Sequence, residues 1–292
     1  KRRVLLADSM ADAKLLTVRV FDNRGNKQLY TCPVQINLPA READISSRLP
    51  MPTPVEMNVA EKLQVKDVIE EKDYLSLASG LNLKTSLQPV ISVVIPVFNK
   101  SSYTFNCLSS IQDVLADSEL DVEVIVVDDR STDDTSKILA QIKGIRVVTN
   151  PKNAGFIDSC NNGAASARGQ YLLFLNNDTL VSPRCFEELL LTFQNKADAG
   201  LVGAKLLYPD GRLQEAGAII WNDASGWNYG RLDDPEKPEY SYLREVDYCS
   251  GACIMVRRDL FKQLGGFDTR YRPAYYEDCD LAFQIRQAGY RV

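Results

Sequence analysis

The chain has no histidine among its 292 residues. Ser-His-Asp and Cys-His catalysis, and zinc sites built on imidazole, are excluded together. Acid–base work is left to carboxylates, lysine, tyrosine or cysteine. There is no basic excess either: 34 Lys and Arg against 39 Asp and Glu leave a formal charge of -5. That balance argues against a nucleic-acid partner, while one small phosphorylated ligand needs only a local site. No apolar run approaches the roughly 20 residues that span a bilayer. Lys1-Arg2-Arg3 precedes too short an apolar stretch for a signal peptide. No Gly-x-Gly-x-x-Gly follows a strand-like run, which disfavours a dinucleotide oxidoreductase. The seven cysteines (Cys32, Cys107, Cys160, Cys185, Cys249, Cys253, Cys279) include no Cys-x-x-Cys pair. Their odd number and their places inside predicted elements indicate buried free thiols in a reducing cytoplasm.

What is present is ordinary for a soluble globular protein, 45% hydrophobic and 25% charged, and long enough for two domains or one large α/β unit. Residues 1–48 read as a β-rich segment. Leu15 to Val20, a polar turn over Asp22–Asn26, and Leu29-Tyr30-Thr31 form a hairpin pattern, and Val34–Leu38 a further strand. So little sheet reads as the end of a β-sandwich whose earlier strands precede the chain. Residues 49–88 read as a linker and connecting helix: Pro50, Pro52 and Pro54 exclude regular structure, then Val55 to Tyr74 carries helical spacing.

From Pro89 the rhythm becomes β-α-β-α. Strands are expected at Ile91–Val97, Val122–Val127, Ile145–Thr149 and Tyr171–Leu175. Helices are expected near Tyr103–Leu115, Thr132–Ile142 and Ile157–Ala167, with a further one beginning at Ser182-Pro183. Ser131 and Asp134 have capping-box spacing. Such alternation predicts an α/β fold, a mostly parallel sheet covered by helices, with ligands beyond the carboxyl ends of its strands. Later come a hairpin turn at Tyr208–Gly211, a long polar loop over Trp221–Asp247, a strand at Ala252–Val256 and helices at Arg258–Leu264 and Glu277–Ala288.

Three acidic clusters fall where such a sheet keeps its site: Asp128-Asp129, Asn176-Asn177-Asp178 and Glu277-Asp278. Taken singly, each has a plainer reading as a cap, a turn or a favourable charge at a helix N-terminus. Together, in a domain without histidine, they point to chemistry. A departing diphosphate calls for a hard cation such as Mg2+ or Mn2+, held by one or two carboxylates, phosphate oxygens and water. Asp178 suits that role. A base must deprotonate an attacking hydroxyl, and Asp278 at a helix start suits that one.

Ile95-Pro96-Val97-Phe98-Asn99, Val127-Asp128-Asp129-Arg130-Ser131-Thr132-Asp133, Asn153-Ala154-Gly155-Phe156, Leu175-Asn176-Asn177-Asp178 and Glu277-Asp278 resemble, in order, the motifs of family 2 glycosyltransferases with the GT-A fold. The resemblance covers residues 89–292. It implies an inverting transfer from a nucleoside-diphosphate sugar, UDP- or dTDP-linked, to a glycan or lipid-linked acceptor in cell-surface polysaccharide synthesis. Pro96, Phe98, Asn99, Asp129, Asn153, Gly155, Phe156 and Asn177 would bind the nucleotide, with Asp129 reading the base. Asp178 would hold Mg2+ or Mn2+, Asp278 would be the base with Glu277 beside it, and Ser250-Gly251-Ala252 with Trp221 would line the sugar and acceptor side.

Two departures stand out. The metal motif reads Asn-Asn-Asp, as in rhamnosyltransferase-like members. Many members also continue past the base helix to a metal-binding histidine and amphipathic segments. The resemblance therefore predicts a domain cut short at its C-terminus, peripheral membrane association through further segments, and action in the cytoplasm at the inner face of the membrane. The rival enzyme is a sugar-nucleotide pyrophosphorylase, disfavoured because residues 96–102 lack Gly and Arg. The non-enzyme rival is a carbohydrate-binding or scaffold protein. In the long loop Trp221, Trp227 and Tyr229 read equally as a sugar platform or as anchors, and Tyr275-Tyr276 as acceptor pocket or core. Lys152 and Arg168 read as solvated surface rather than phosphate ligands.

Overall fold

A computed structural model describes Val18–Phe21, Lys27–Tyr30 and residues 71–292. The chain divides into two compact units, residues 1–57 and 58–292. In the first, β1 (Val18–Phe21) and β2 (Lys27–Tyr30) form the expected hairpin, antiparallel from Val18↔Tyr30 to Phe21↔Lys27. The expected turn at 22–26, strand at 34–38, proline-rich linker and most of the connecting helix lie outside the described residues.

Among the described residues of the second unit, α1 (Glu71–Ala78) comes first and carries the expected helix past Tyr74. The Tyr74 ring meets Phe105 edge-on, centroids 5.1 Å apart. Then follow β3 (Ile91–Val97), α2 (Ser101–Ala116), β4 (Val122–Asp128), α3 (Thr135–Leu139), β5 (Ile145–Thr149), α4 (Gly155–Ser166) and β6 (Tyr171–Leu175). The remainder comprises α5 (Cys185–Asn195), β7 (Leu201–Gly203), β8 (Leu206–Leu207), β9 (Leu213–Glu215), β10 (Ala218–Ile220), β11 (Gly226–Asn228), β12 (Cys253–Arg257), α6 (Arg258–Gln263) and α7 (Glu277–Gln287).

Six strands form the central sheet in the order β5-β4-β3-β6-β12-β7. β3, β4, β5 and β6 run parallel, and β12 is antiparallel to both β6 and β7, so only β12 is reversed. Reversal brings the start of β12 to the carboxyl edge, where Cys253 lies opposite Leu175. Period-two alternation then divides the core. Val93, Ile95, Val124, Val126, Leu173 and Leu175 face one buried cluster, and Val94, Ile125, Val127, Leu172 and Phe174 the other. Apolar side chains on both faces are what a helix-covered sheet requires. On the second face α4 approaches through Gly163, where a Cβ would meet Val94 Cγ1 at 2.4 Å and Val127 Cγ2 at 2.9 Å.

Three local expectations are corrected. The helix after β4 is short: Asp134 makes no capping bond, and Asp133 instead accepts the Thr135 amide at 3.0 Å. Ser182-Pro183 forms a turn, Ser182 O taking the Cys185 amide at 3.2 Å, so α5 starts after the left-handed Arg184. The loop 221–247 is partly built: β10 and β11 pair from Ala218↔Asn228 to Ile220↔Gly226. The turn at Tyr208–Gly211 joins β8 to β9 as expected. Six described cysteines are free, five of them buried. No helix among the described residues is long and apolar enough to cross a membrane.

Candidate active site

The ends of β3, β4 and β5 are laced together by side chains from the first two motifs. Asn99, left-handed at φ 57°, donates its amide to Ser131 Oγ at 2.8 Å, and its Oδ1 accepts the Thr132 amide at 2.7 Å. Asp128 accepts the Ser131 amide and the Ser136 hydroxyl, both at 2.9 Å, so it caps its own turn. Asp129, buried, accepts from Asn150 Nδ2 at 2.7 Å, the Ala154 amide at 2.8 Å and the Gly155 amide at 2.7 Å. A carboxylate at the first turn of α4 also meets the positive end of the helix dipole. Around this frame Phe98 and Asn153 are exposed and Pro96 is half-buried on β3. Phe156 lies against Phe267, centroids 6.2 Å apart.

The second group gathers around one tripeptide. The Asn176 amide donates to Ala252 O at 3.0 Å, which fixes the Asn176-Asn177-Asp178 loop beside residues 250–252. Asn177 Nδ2 donates to Thr104 Oγ1 at 3.0 Å, tying the same loop to α2. Asp178 is exposed. The Gly251 amide donates to Asp278 Oδ2 at 3.0 Å, and Asp278 Oδ1 accepts the Cys279 amide at 2.8 Å. A Cβ on Gly251 would lie 3.5 Å from Phe156 Cζ and 3.9 Å from Asp278 Cβ, so nucleotide-side and base-side residues converge there. Glu277 turns inward: it is buried, its Oε2 has no partner, and burial followed by the Asp278 charge pushes its carboxyl up to about 7.

Glu215 was not anticipated. It lies on β9, buried, accepting the Ser250 amide at 3.0 Å and Asn228 Nδ2 at 2.8 Å. Desolvation, opposed by the Ser250 amide and supported by the Asp278 charge, raises it to about 7. The signal was the strand period, which sets Glu215 on the same inward face as the fully buried Leu213.

The aromatic residues separate. Trp221 and Trp227 meet edge-on at 6.3 Å, each about half exposed, and Tyr276 Oη donates to Ala224 O at 2.9 Å, joining their hairpin to the start of α7. Tyr229 instead packs on Tyr240 at 5.3 Å under Arg244. Arg168 lies far down the sheet, paired with buried Glu123 near the amino end of β4, so it is not a phosphate ligand of this edge.

Residues 92–265 match the model of glycosyl transferase family 2. The chain belongs to that family. Among relatives, the O-antigen biosynthesis protein RfbC of Myxococcus xanthus is 32% identical over 216 residues, 70% of this chain and 16% of that protein. The N-acetylglucosaminyl-diphospho-decaprenol L-rhamnosyltransferase of Mycobacterium tuberculosis is 26% identical over 196 residues, 59% of this chain and 64% of that one. The match thus spans under a fifth of one relative and under two thirds of the other. The fold resembles the mannosyltransferase PcManGT of Pyrobaculum calidifontis, solved with GDP-Man and Mn2+. The TM-score is 0.50 and the identity 18%, covering 75% of this chain and 60% of that one. The predicted GT-A architecture of this family 2 member is therefore borne out.

Among the described residues no group of three or more Cys, Asp and Glu side chains could enclose a metal. The exposed Asp178 carboxylate beside Asn177 fits a different arrangement, a hard cation held mostly by diphosphate oxygens and water.

Proposed function

We propose that this family 2 domain moves a glycosyl group, with inversion, from a nucleoside-diphosphate sugar to a hydroxyl of a glycan or lipid-linked acceptor in cell-surface polysaccharide assembly. The observation that carries the reading is the Ser250-Gly251-Ala252 segment. It is hydrogen-bonded on one side to the loop bearing Asp178 and on the other to Asp278.

The nucleotide lies over the laced ends of β3 and β4, against Pro96, Phe98, Asn99 and Asn153, with Gly155 and Phe156 closing the pocket beside Asp129. UDP and dTDP are the favoured nucleotides, and Asp129, already held by three donors, reads the base through the lone pair left on Oδ2. Asp178, with Asn177 beside it on the nucleotide side, would hold Mg2+ or Mn2+, which would offset the charge on the departing diphosphate. The acceptor hydroxyl attacks the anomeric carbon and the carbon–oxygen bond to the diphosphate breaks. The leaving oxygen keeps the electron pair, and the hydroxyl proton passes to Asp278. The Gly251 amide keeps that carboxylate aimed, and Glu277 lies buried beside it. Trp221 stands on the acceptor side. The setting is the cytoplasmic face of the membrane, in keeping with six free thiols among the described residues.

The test is Asp278→Asn. A base that acts only in the transition state predicts a fall in kcat of about 10^2- to 10^4-fold with nucleoside-diphosphate affinity unchanged. Full turnover in the variant would remove Asp278 from that role.

A further inference from the structure

The segment at 250–252 grips the Asp278 carboxylate and the backbone of the loop that bears Asp178, and something must hold the segment. Its own bonds are local: Ser250 Oγ accepts the Ala252 amide at 3.3 Å and Ser250 O the Cys253 amide at 3.3 Å. Among the described residues, the one charged side chain that hydrogen-bonds to it from another element, besides Asp278 itself, comes from the excursion between β7 and β12.

We propose that Glu215 is a positioning residue for transfer: through the Ser250 amide it sets the Gly251 amide, and through that the Asp278 carboxylate. The proposal rests on the transferase reading above. Three observations carry it. Glu215 is 1% exposed, a place where a carboxylate is costly unless its oxygens are engaged. Both oxygens are engaged, Oε1 by Ser250 and Oε2 by Asn228 on β11, so it bridges the 218–228 hairpin to the site. The bond it makes precedes by a single residue the amide that grips Asp278.

This arrangement also connects the acceptor side to the base. β10 and β11 carry Trp227 opposite Ile219, and Trp221 follows directly. The bond from Asn228 to Glu215 joins that hairpin to the backbone that aims Asp278. Glu215 is hydrogen-bonded to Ser250 and Asn228 and interacts electrostatically with Asp278, Tyr248 and Cys249.

The experiment compares wild type, Glu215→Ala, Glu215→Gln and Asn228→Ala in the full chain. Donor turnover is read over UDP-, dTDP- and GDP-sugars with Mn2+, and amide hydrogen exchange at Ser250 and Gly251 by NMR. Circular dichroism checks that each variant is folded. For Glu215→Ala the expected result is a 10- to 100-fold loss of kcat, on the order seen for misplaced catalytic groups, with donor KM within about twofold. Exchange at the two amides rises about tenfold. Glu215→Gln keeps an acceptor for the Ser250 amide and recovers kcat to within about threefold; Asn228→Ala, which leaves that bond in place, loses less than Glu215→Ala. Should Glu215→Ala fail to fold, the Glu215→Gln and Asn228→Ala pair decides: both keep the Ser250 bond and are expected within about threefold of wild-type kcat, and a loss of about tenfold or more in either, with exchange at the two amides unchanged, overturns the proposal. Unchanged exchange, or unchanged kcat in Glu215→Ala, overturns it while leaving the transferase reading intact. A wild type that turns over none of the donors overturns both.

Discussion

The carboxylate of Asp129 accepts the amide of Gly155 at 2.7 Å, and this contact ties the end of β4 to the first turn of α4. Gly155 has φ 85°, a conformation that favours glycine, so the chain turns sharply enough to present that amide to the carboxylate. Two more donors, the Ala154 amide and Asn150 Nδ2, converge on the same side chain. Asp129→Ala leaves the Ala154 and Gly155 amides without this acceptor and takes one of two bonds from Asn150 Nδ2, which also donates to Ser159 Oγ at 3.0 Å. Urea unfolding is expected to show a loss of about 2–4 kcal/mol, and Asp129→Asn a smaller one. Wild-type stability in the alanine variant would mean that these bonds do not hold the frame.

Gly163 tests the packing of α4 on the sheet. A methyl group there would fall within 3 Å of Val94 and Val127, both fully buried strand residues with nowhere to retreat. Gly163→Ala gains helix propensity of about 1 kcal/mol but overpacks the core by about 1–3 kcal/mol. Net destabilisation is expected, read as a lower unfolding midpoint with an unchanged denaturant slope.

The two buried glutamates predict how stability follows pH. Glu215 and Glu277 both rise from 4.5 to about 7, chiefly through burial and further through the Asp278 charge. Between those values the folded chain keeps protons that the unfolded chain has released. Their contribution is thus most favourable at acid pH, declines as pH rises through 4.5 to 7, and is constant above. Glu277 is the cleaner probe, because its Oε2 has no partner to lose. Glu277→Gln is expected to be more stable than wild type by about 1–3 kcal/mol at pH 8, with the difference shrinking toward pH 4.5. Denaturant titrations at the two pH values check it. A difference that grows on acidification contradicts the assignment.

Much of this was legible in the sequence because the signals were local. The strands at 91–97 and 171–175 are bounded as the apolar runs are, since a buried parallel strand is apolar almost throughout, while the strand at 145–149 lies half-buried at the sheet edge and was legible from its β-branched residues. The acidic clusters fell at the carboxyl edge because turns in such a sheet are where polar residues belong. What escaped depended on distant partners. Asp134 had capping spacing, yet Asp133 won the Thr135 amide while also accepting the Ser101 amide at 3.1 Å from across the edge. Glu215 belongs to none of the acidic clusters, and its partners lie 13 and 35 residues away. Trp221 and Tyr229 had equal claims on a platform until pairing with Trp227 and Tyr240 separated them.

The central claim, a diphosphate site completed by Asp178, is tested most directly by thermal unfolding. Wild type and Asp178→Ala are heated with UDP, dTDP, GDP or CMP, each with and without Mn2+. A ligand at a hundred times its dissociation constant adds about 2.7 kcal/mol, a readily visible shift. The account predicts a rise in midpoint with one nucleoside diphosphate, dependent on Mn2+ and absent in Asp178→Ala. An equal rise in the variant, or no rise with any nucleotide in the wild type, would contradict it.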